Sequence, residues 1–245
     1  MPTVGGIISY TTSDALAGIA EIETRDHQAR GYLQHAKFPT QIARLRRFLA
    51  RIPKHARTYP ALDLGCGPGP NTQLLVDSGY RVVAVDFSRE SLLVNRESVR
   101  SVPQAEVCHV QADLKQLDLA PACTQLLLMC DFLQHLGEAS VRRAFLARAF
   151  KWLQPGGYFY LSFFNLNIKN YLKGDVHGAF AAGSIQYERL VAGEVITMFP
   201  DDIAIDAITP MNIFHQALPD RLAARLPGAR FLSRLMAIEG HRRPA

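Results

Sequence analysis

The chain has no apolar stretch near the roughly 18 residues needed to cross a bilayer, and its start lacks the basic flank and long apolar core of a secretory signal. A soluble, cytoplasmic protein is expected. Its four cysteines, Cys66, Cys108, Cys123 and Cys130, form neither a Cys-x-x-Cys pair nor a cluster with histidine at metal-ligand spacing. This argues against a disulfide framework and offers no metal site, so reduced, mostly buried thiols are expected. With 245 residues, the chain is long enough for one well-cored α/β domain with additions and leaves little room for a second.

There is also no uniform excess of one charge. Residues 1–60 carry a net +5, residues 221–245 another +5, and the stretch between them −5. Basic ends can mark a nucleic acid or an acidic surface as partner. Here, however, Ile42, Leu45, Phe48, Leu49 and Ile52 recur at helical spacing, which makes Arg44, Arg47, Arg51 and Lys54 the solvated face of an amphipathic helix.

What is present begins with Leu62-Asp63-Leu64-Gly65-Cys66-Gly67-Pro68-Gly69, three alternate glycines between a short apolar segment and a predicted helix. Glycines there permit a tight turn and let a ligand lie against bare main chain. A dinucleotide-binding loop would need a glycine where Pro70 stands, although Pro70 suits the first turn of a helix. Nucleotide-dependent oxidoreductase chemistry and a plain strand-helix junction both stay open on the loop alone.

A second signal follows one strand later. Arg81-Val82-Val83-Ala84-Val85-Asp86-Phe87-Ser88 reads as a buried parallel strand ending in an acid. Asp86 can accept hydrogen bonds from two ribose hydroxyls, and Phe87 can cover one face of an adenine. Ser88 caps the next helix, which frees Asp86 from that role. A third acid, Asp113, ends the strand Val107–Ala112 and is followed by apolar Leu114.

The Asp-x-Gly-x-Gly-x-Gly loop, the ribose acid and the third acid, spaced one βα unit apart, resemble the ordered motifs of class I S-adenosylmethionine-dependent methyltransferases. The resemblance covers residues 61–165. It implies S-adenosylmethionine as cofactor, held by Asp63, Gly65, Cys66, Gly67 and Gly69 of the loop, by Asp86 and Phe87, and by Ala112, Asp113 and Leu114 at the adenine. Cys130 and Asp131, at the end of the apolar run Gln125–Asp131, complete that set, and Tyr32, His35 or Lys37 would reach in from the N-terminal side.

The same rhythm continues with a helix over Glu138–Leu153, a stop at Gln154-Pro155-Gly156-Gly157, and a strand over Tyr158–Phe164. The expected fold is α/β: a doubly wound, mostly parallel, seven-stranded Rossmann-like sheet with a final antiparallel strand at Leu235–His241, N-terminal lid helices, and an insertion after the fifth strand. Residues 1–60 are expected as a helical lid, 61–165 as the cofactor-binding core, and 166–245 as the acceptor-binding region and closing strands, all within one domain. Strand-like pieces are expected near Ser184–Leu190 and Glu194–Phe199, and a helix over Asp220–Leu226. Phe164, Tyr171, Phe180, Tyr187, Met198, Phe199, Met211 and Phe214 are either pocket lining or core.

In such enzymes the protein aligns donor and acceptor, excludes water and, for an acceptor that carries a proton, supplies a base. His135 lies after the fourth strand, beside the expected methyl position, whereas His177 and His215 lie in the acceptor region. The chain lacks an Asn/Asp-Pro-Pro-aromatic motif and a Pro-Cys or Thr-Cys setting, which points away from nucleic acid and toward a small-molecule acceptor such as a metabolite, a lipid or a secondary-metabolite intermediate. A noncatalytic or RNA-associated binding protein of the same fold is the remaining alternative. Oligomeric state has no signature in the sequence.

Overall fold

The computed structural model describes residues 3–4, 6–10, 19–32, 39–102, 105–180, 183–212 and 227–244. The chain opens with a short hairpin, β1 (Thr3–Val4) and β2 (Ile7–Ser9), followed by α1 (Ile19–Tyr32) and α2 (Pro39–Arg51). The apolar runs then become β3 (Ala61–Leu64), β4 (Val82–Asp86), β5 (Val107–Gln111), β6 (Thr124–Cys130) and β7 (Leu153–Phe164). Between them lie α3 (Pro70–Asp77), α4 (Arg89–Val99) and α5 (Ala139–Trp152). Beyond β7 come α6 (Ile168–Leu172), the small hairpin β8 (His177–Phe180) and β9 (Ile185–Glu188), and α7 (Ala192–Ile196). Strands β10 (Ile203–Met211) and β11 (Leu235–Arg242) close the sheet.

One sheet runs in the order β1-β2-β5-β4-β3-β6-β7-β11-β10. Pairing is parallel from β2 through β7 and antiparallel where β11 enters between β7 and β10. Alternation along the central strands sends side chains into two layers. Leu62, Leu64, Leu127, Met129, Phe159, Leu161 and Phe163 pack with Phe145, Phe150 and Trp152 on one face. Ala61, Ala84, Leu126, Leu128 and Tyr160 pack with Leu45, Phe48, Leu74 and Leu92 on the other. Strands buried on both faces explain the near-continuous apolar runs. The strand order reverses between β3 and β6, so the crevice at their C-terminal ends is the binding position that this topology provides.

The doubly wound parallel core and the antiparallel closing strand match the expected fold, but the sheet has nine strands and not seven. The extra pair is β1 and β2, which lie in a region expected to be wholly helical. Ile7, Ile8 and Ser9 pair in parallel with His109, Val110 and Gln111, covering the edge of β5. Glu194–Phe199 is not a strand either. Ala192, Val195, Ile196 and Phe199 share one helical face and pack against the core, so the 3.6-residue period governs there. Residues 220–226 lie outside the described residues. Two of the four thiols are buried, Cys66 and Cys130, whereas Cys108 is exposed because β5 turns it outward near the sheet edge. Among the described residues, no helix is long and apolar enough to cross a membrane.

The charged face of α2 also differs from expectation. Leu45, Phe48, Leu49 and Ile52 are buried as predicted, but Arg44 and Arg51 both fold back onto Glu239 of β11, whose side chain is 1% exposed. A buried carboxylate needs such partners, and α2 is thereby fixed to the closing strand.

Candidate active site

The glycine loop leaves β3 and enters α3 through three positive φ angles, 64° at Gly65, 53° at Gly67 and 107° at Gly69. A Cβ at Gly65 would strike the Phe132 ring at 2.8 Å, and one at Gly69 would strike Ser98 and Asn95 at 2.8 and 2.9 Å. At Gly67 a Cβ would meet nothing within 4 Å. Gly67 is therefore the position with open space beside bare main chain, while Gly65 and Gly69 are small because protein packs against them. Gly69 caps α3 with Pro70 in its first turn, as the sequence predicts.

Asp86, at the end of β4, reaches back to this loop. Its Oδ2 accepts from the Gly67 N–H at 2.9 Å and its Oδ1 from the Ser88 N–H at 2.9 Å. Burial raises its pKa, while the two main-chain donors and the nearby Arg25 guanidinium oppose that rise. Each carboxylate oxygen retains acceptor capacity for a further donor, which is what a pair of ribose hydroxyls requires. Ser88 caps α4, accepting from the Ser91 N–H at 3.1 Å. Phe87 stands beside Asp86 with the Arg25 guanidinium 5.5 Å from its ring centroid, so α1 covers this side of the crevice.

At the end of β5, the Ala112 N–H donates to the Asp86 carbonyl at 3.0 Å. Ala112 and Leu114 are buried, and Asp113 folds its carboxylate onto its own turn, with Oδ1 accepting from the Lys115 N–H at 2.9 Å. At the end of β6, Cys130 is buried and Asp131 adopts φ 58°, a strained conformation for a residue with a side chain. Both of its carboxylate oxygens are held. Ser162 Oγ donates to Oδ1 at 2.7 Å and Gln41 Nε2 to Oδ2 at 3.0 Å, which hooks α2 over the C-terminal ends of the strands.

Of the candidate bases, His135 stands at the crevice. Its Nδ1 lies 2.8 Å from the Gln186 carbonyl, which can only accept, so the ring proton is on Nδ1 and the Nε2 lone pair is available. Burial, followed by the Arg25 charge, lowers its pKa to about 4, so the imidazole is neutral near pH 7. Phe164 and Tyr187 meet the ring edge-on at 6.2 and 6.3 Å, and Phe180 stacks on Tyr187 at 4.6 Å. His177 is exposed on β8 in register with Glu188, and no hydrogen bond or ring contact joins it to His135 among the described residues. His215, Phe214, His35 and Lys37 lie outside the described residues, as does the side chain of Tyr32 at the end of α1.

The aromatic residues of the acceptor region divide into groups. Phe164, Phe180 and Tyr187 gather at His135, Phe199 packs with Phe150 and Phe159, and Met198 and Met211 are core. Tyr171 is exposed.

Sequence reasoning missed Thr72, Asn95 and His109, which form a buried polar chain behind the loop, and Gln41 and Ser162, which hold Asp131. Asn95 gave the one usable signal: a polar side chain within the apolar stripe of Leu92 and Val99 must find partners inside.

A family model described as a methyltransferase domain matches residues 62–161. A ubiquinone biosynthesis O-methyltransferase of Idiomarina loihiensis is 28% identical over 64% of this chain and 65% of its own length. A trans-aconitate 2-methyltransferase of an Azoarcus species is 38% identical over 51% of this chain and 46% of its own length. The chain thus spans less than two thirds of either relative. Among solved structures, the N-methyltransferase NodS of Bradyrhizobium japonicum in complex with S-adenosyl-L-homocysteine superposes with a TM-score of 0.62 at 13% identity, covering 91% of this chain and 98% of that one. Loop, strand order and family match converge on residues 62–161, which match a methyltransferase domain set in a sheet of the S-adenosylmethionine-dependent methyltransferase fold.

Proposed function

We propose that this chain transfers a methyl group from S-adenosylmethionine to an oxygen of a small acceptor with an apolar, ring-bearing body. The observation that carries the reading is His135, whose Nδ1–H is committed to the Gln186 carbonyl and whose Nε2 is left as an acceptor among Phe164 and Tyr187.

When bound, the cofactor supplies an electrophilic methyl group on a sulfonium centre. Gly67 and Asp86 would hold its adenosyl part, with Asp131 at the end of β6 on the other side of the crevice. Phe164, Phe180 and Tyr187 give the acceptor an apolar wall and exclude water from one side. His135 Nε2 would accept the hydroxyl proton that an oxygen acceptor must lose on methylation. Pairing of Arg44 and Arg51 with Glu239 engages two cations of the basic N-terminal region within the protein, which supports a small acceptor over a nucleic acid.

The test is incubation of the purified chain with methyl-labelled cofactor and separate panels of phenols, carboxylic acids, amines and RNA, followed by mass spectrometry. Label is expected in a methyl ether or ester. Label only in amines or RNA, or saturable NAD binding with no response to S-adenosylhomocysteine, would overturn the reading.

A further inference from the structure

The glycine loop is braced from behind by side chains that no motif marks. Asn95, fully buried in the middle of α4, directs Nδ2 at Thr72 Oγ1 over 2.8 Å and at the Gly67 carbonyl over 3.3 Å. Thr72 Oγ1 in turn donates to Asp63 Oδ2 at 2.7 Å. On the far side, His109 Nε2 lies 3.1 Å from Asn95 Oδ1. With the Asn95 amide hydrogens directed at Thr72 and Gly67, its oxygen accepts, so His109 carries its proton on Nε2. Donation therefore runs one way, from His109 through Asn95 and Thr72 to Asp63. Burial, then the neighbouring Arg96 charge, lowers the His109 pKa to about 4, which keeps the ring neutral and the direction unchanged near pH 7.

The chain grips both peptide units that flank Gly67. The N–H on one side is held by Asp86 and the carbonyl on the other by Asn95. Since a glycine has broad access to backbone angles, two fixed peptide planes are what select the φ of 53° seen here. We propose that Asn95, backed by His109 and Thr72, is a positioning residue of the cofactor site, holding Gly67 in the one conformation that aims its N–H at Asp86 and its open side at the cofactor. Without this brace the loop samples other conformations, and cofactor binding bears the cost of selecting the competent one.

The experiment compares Thr72→Val, Thr72→Ser and Asn95→Ala with Thr124→Val. Thr124 is buried at the opposite end of the sheet, where its hydroxyl donates to the Pro60 carbonyl, so that variant controls for lost stability alone. By calorimetry, Thr72→Val and Asn95→Ala should weaken S-adenosylhomocysteine binding roughly five- to thirtyfold, while Thr72→Ser and Thr124→Val stay within about twofold. A second readout needs no ligand. Cys66 lies buried inside the loop and Cys130 is buried at the end of β6. Iodoacetamide labelling resolved by peptide mass spectrometry should quicken at Cys66 and not at Cys130 in the two brace variants. Unchanged affinity in Thr72→Val, or equal acceleration at both cysteines, would overturn the proposal. If Asn95→Ala does not fold, the Thr72 pair decides it.

Discussion

The Gly67 N–H donates to the Asp86 carboxylate at 2.9 Å, so the glycine loop and the acid that ends β4 are one hydrogen-bonded unit. Asp86→Ala therefore removes one of the two restraints on Gly67 and, under the proposed function, an acceptor for the ribose. The expected loss is roughly 2–3 kcal/mol, a 30- to 150-fold weaker affinity for S-adenosylhomocysteine. Calorimetry measures it, with circular dichroism to confirm the fold. Wild-type affinity in a folded variant would move the ribose contact elsewhere.

A second expectation concerns the clamp between α2 and β11. Glu239→Gln leaves Arg44 and Arg51 facing a neutral amide in a buried setting, where breaking an ion pair is costly. Arg51 is 59% exposed and its share is screened by solvent, so the expected destabilisation is about 2–3 kcal/mol, read as a lower urea midpoint. A midpoint equal to that of the wild type would mean that α2 is held by its apolar stripe alone.

The pH dependence of stability follows from two buried histidines. His109 and His135 are both lowered to about 4, chiefly by burial. In the unfolded chain a histidine titrates near 6.5. Between those values the unfolded chain binds protons that the native state refuses, so stability is complete above about pH 6.5 and falls as the pH drops toward 4. Asp86, raised by burial above 3.8, works in the opposite sense. At pH 5 the histidines should together cost about 2–4 kcal/mol relative to pH 7, and His135→Gln should remove about half of that. Chemical unfolding at the two pH values provides the comparison. A wild-type chain as stable at pH 5 as at pH 7 would contradict neutral burial of both rings.

The pH profile of turnover separates alignment from base catalysis. With Nε2 deprotonated down to about pH 4, the catalytic rate constant should be flat from pH 6 to 9. His135→Ala should lower that rate by roughly 10²- to 10⁴-fold if the ring takes the acceptor proton. Loss of less than about tenfold would reduce His135 to an orienting contact.

Much of the fold was legible because the strands that carry the site are also its most apolar segments. The β4 strand and its terminal Asp86 were readable together, as were Ser88 as a cap and Pro70 in a first turn. The loop glycines were readable as a motif but not as individuals. That Gly65 faces Phe132 and Gly69 faces Asn95 depends on packing from segments distant in sequence. The brace behind the loop escaped for the same reason, since Asn95 and His109 meet only once α4 lies on β5. Arg44 and Arg51 looked solvated because their partner, Glu239, is 195 and 188 residues away. The β1–β2 hairpin was hidden because its strands are only two and three residues long and depend on the edge of β5 for pairing.

That separation between α2 and Glu239 has a consequence for synthesis. The ribosome makes Arg44 195 residues before its carboxylate partner, so α2 leaves the exit tunnel with no counterion and acquires one only after β11 has been translated and inserted between β7 and β10. Until then the helix that carries Gln41 to Asp131 lacks its ionic anchor to the sheet and is held by its apolar stripe alone. A nascent chain stalled before Glu239 would present the glycine loop with its cover unlatched.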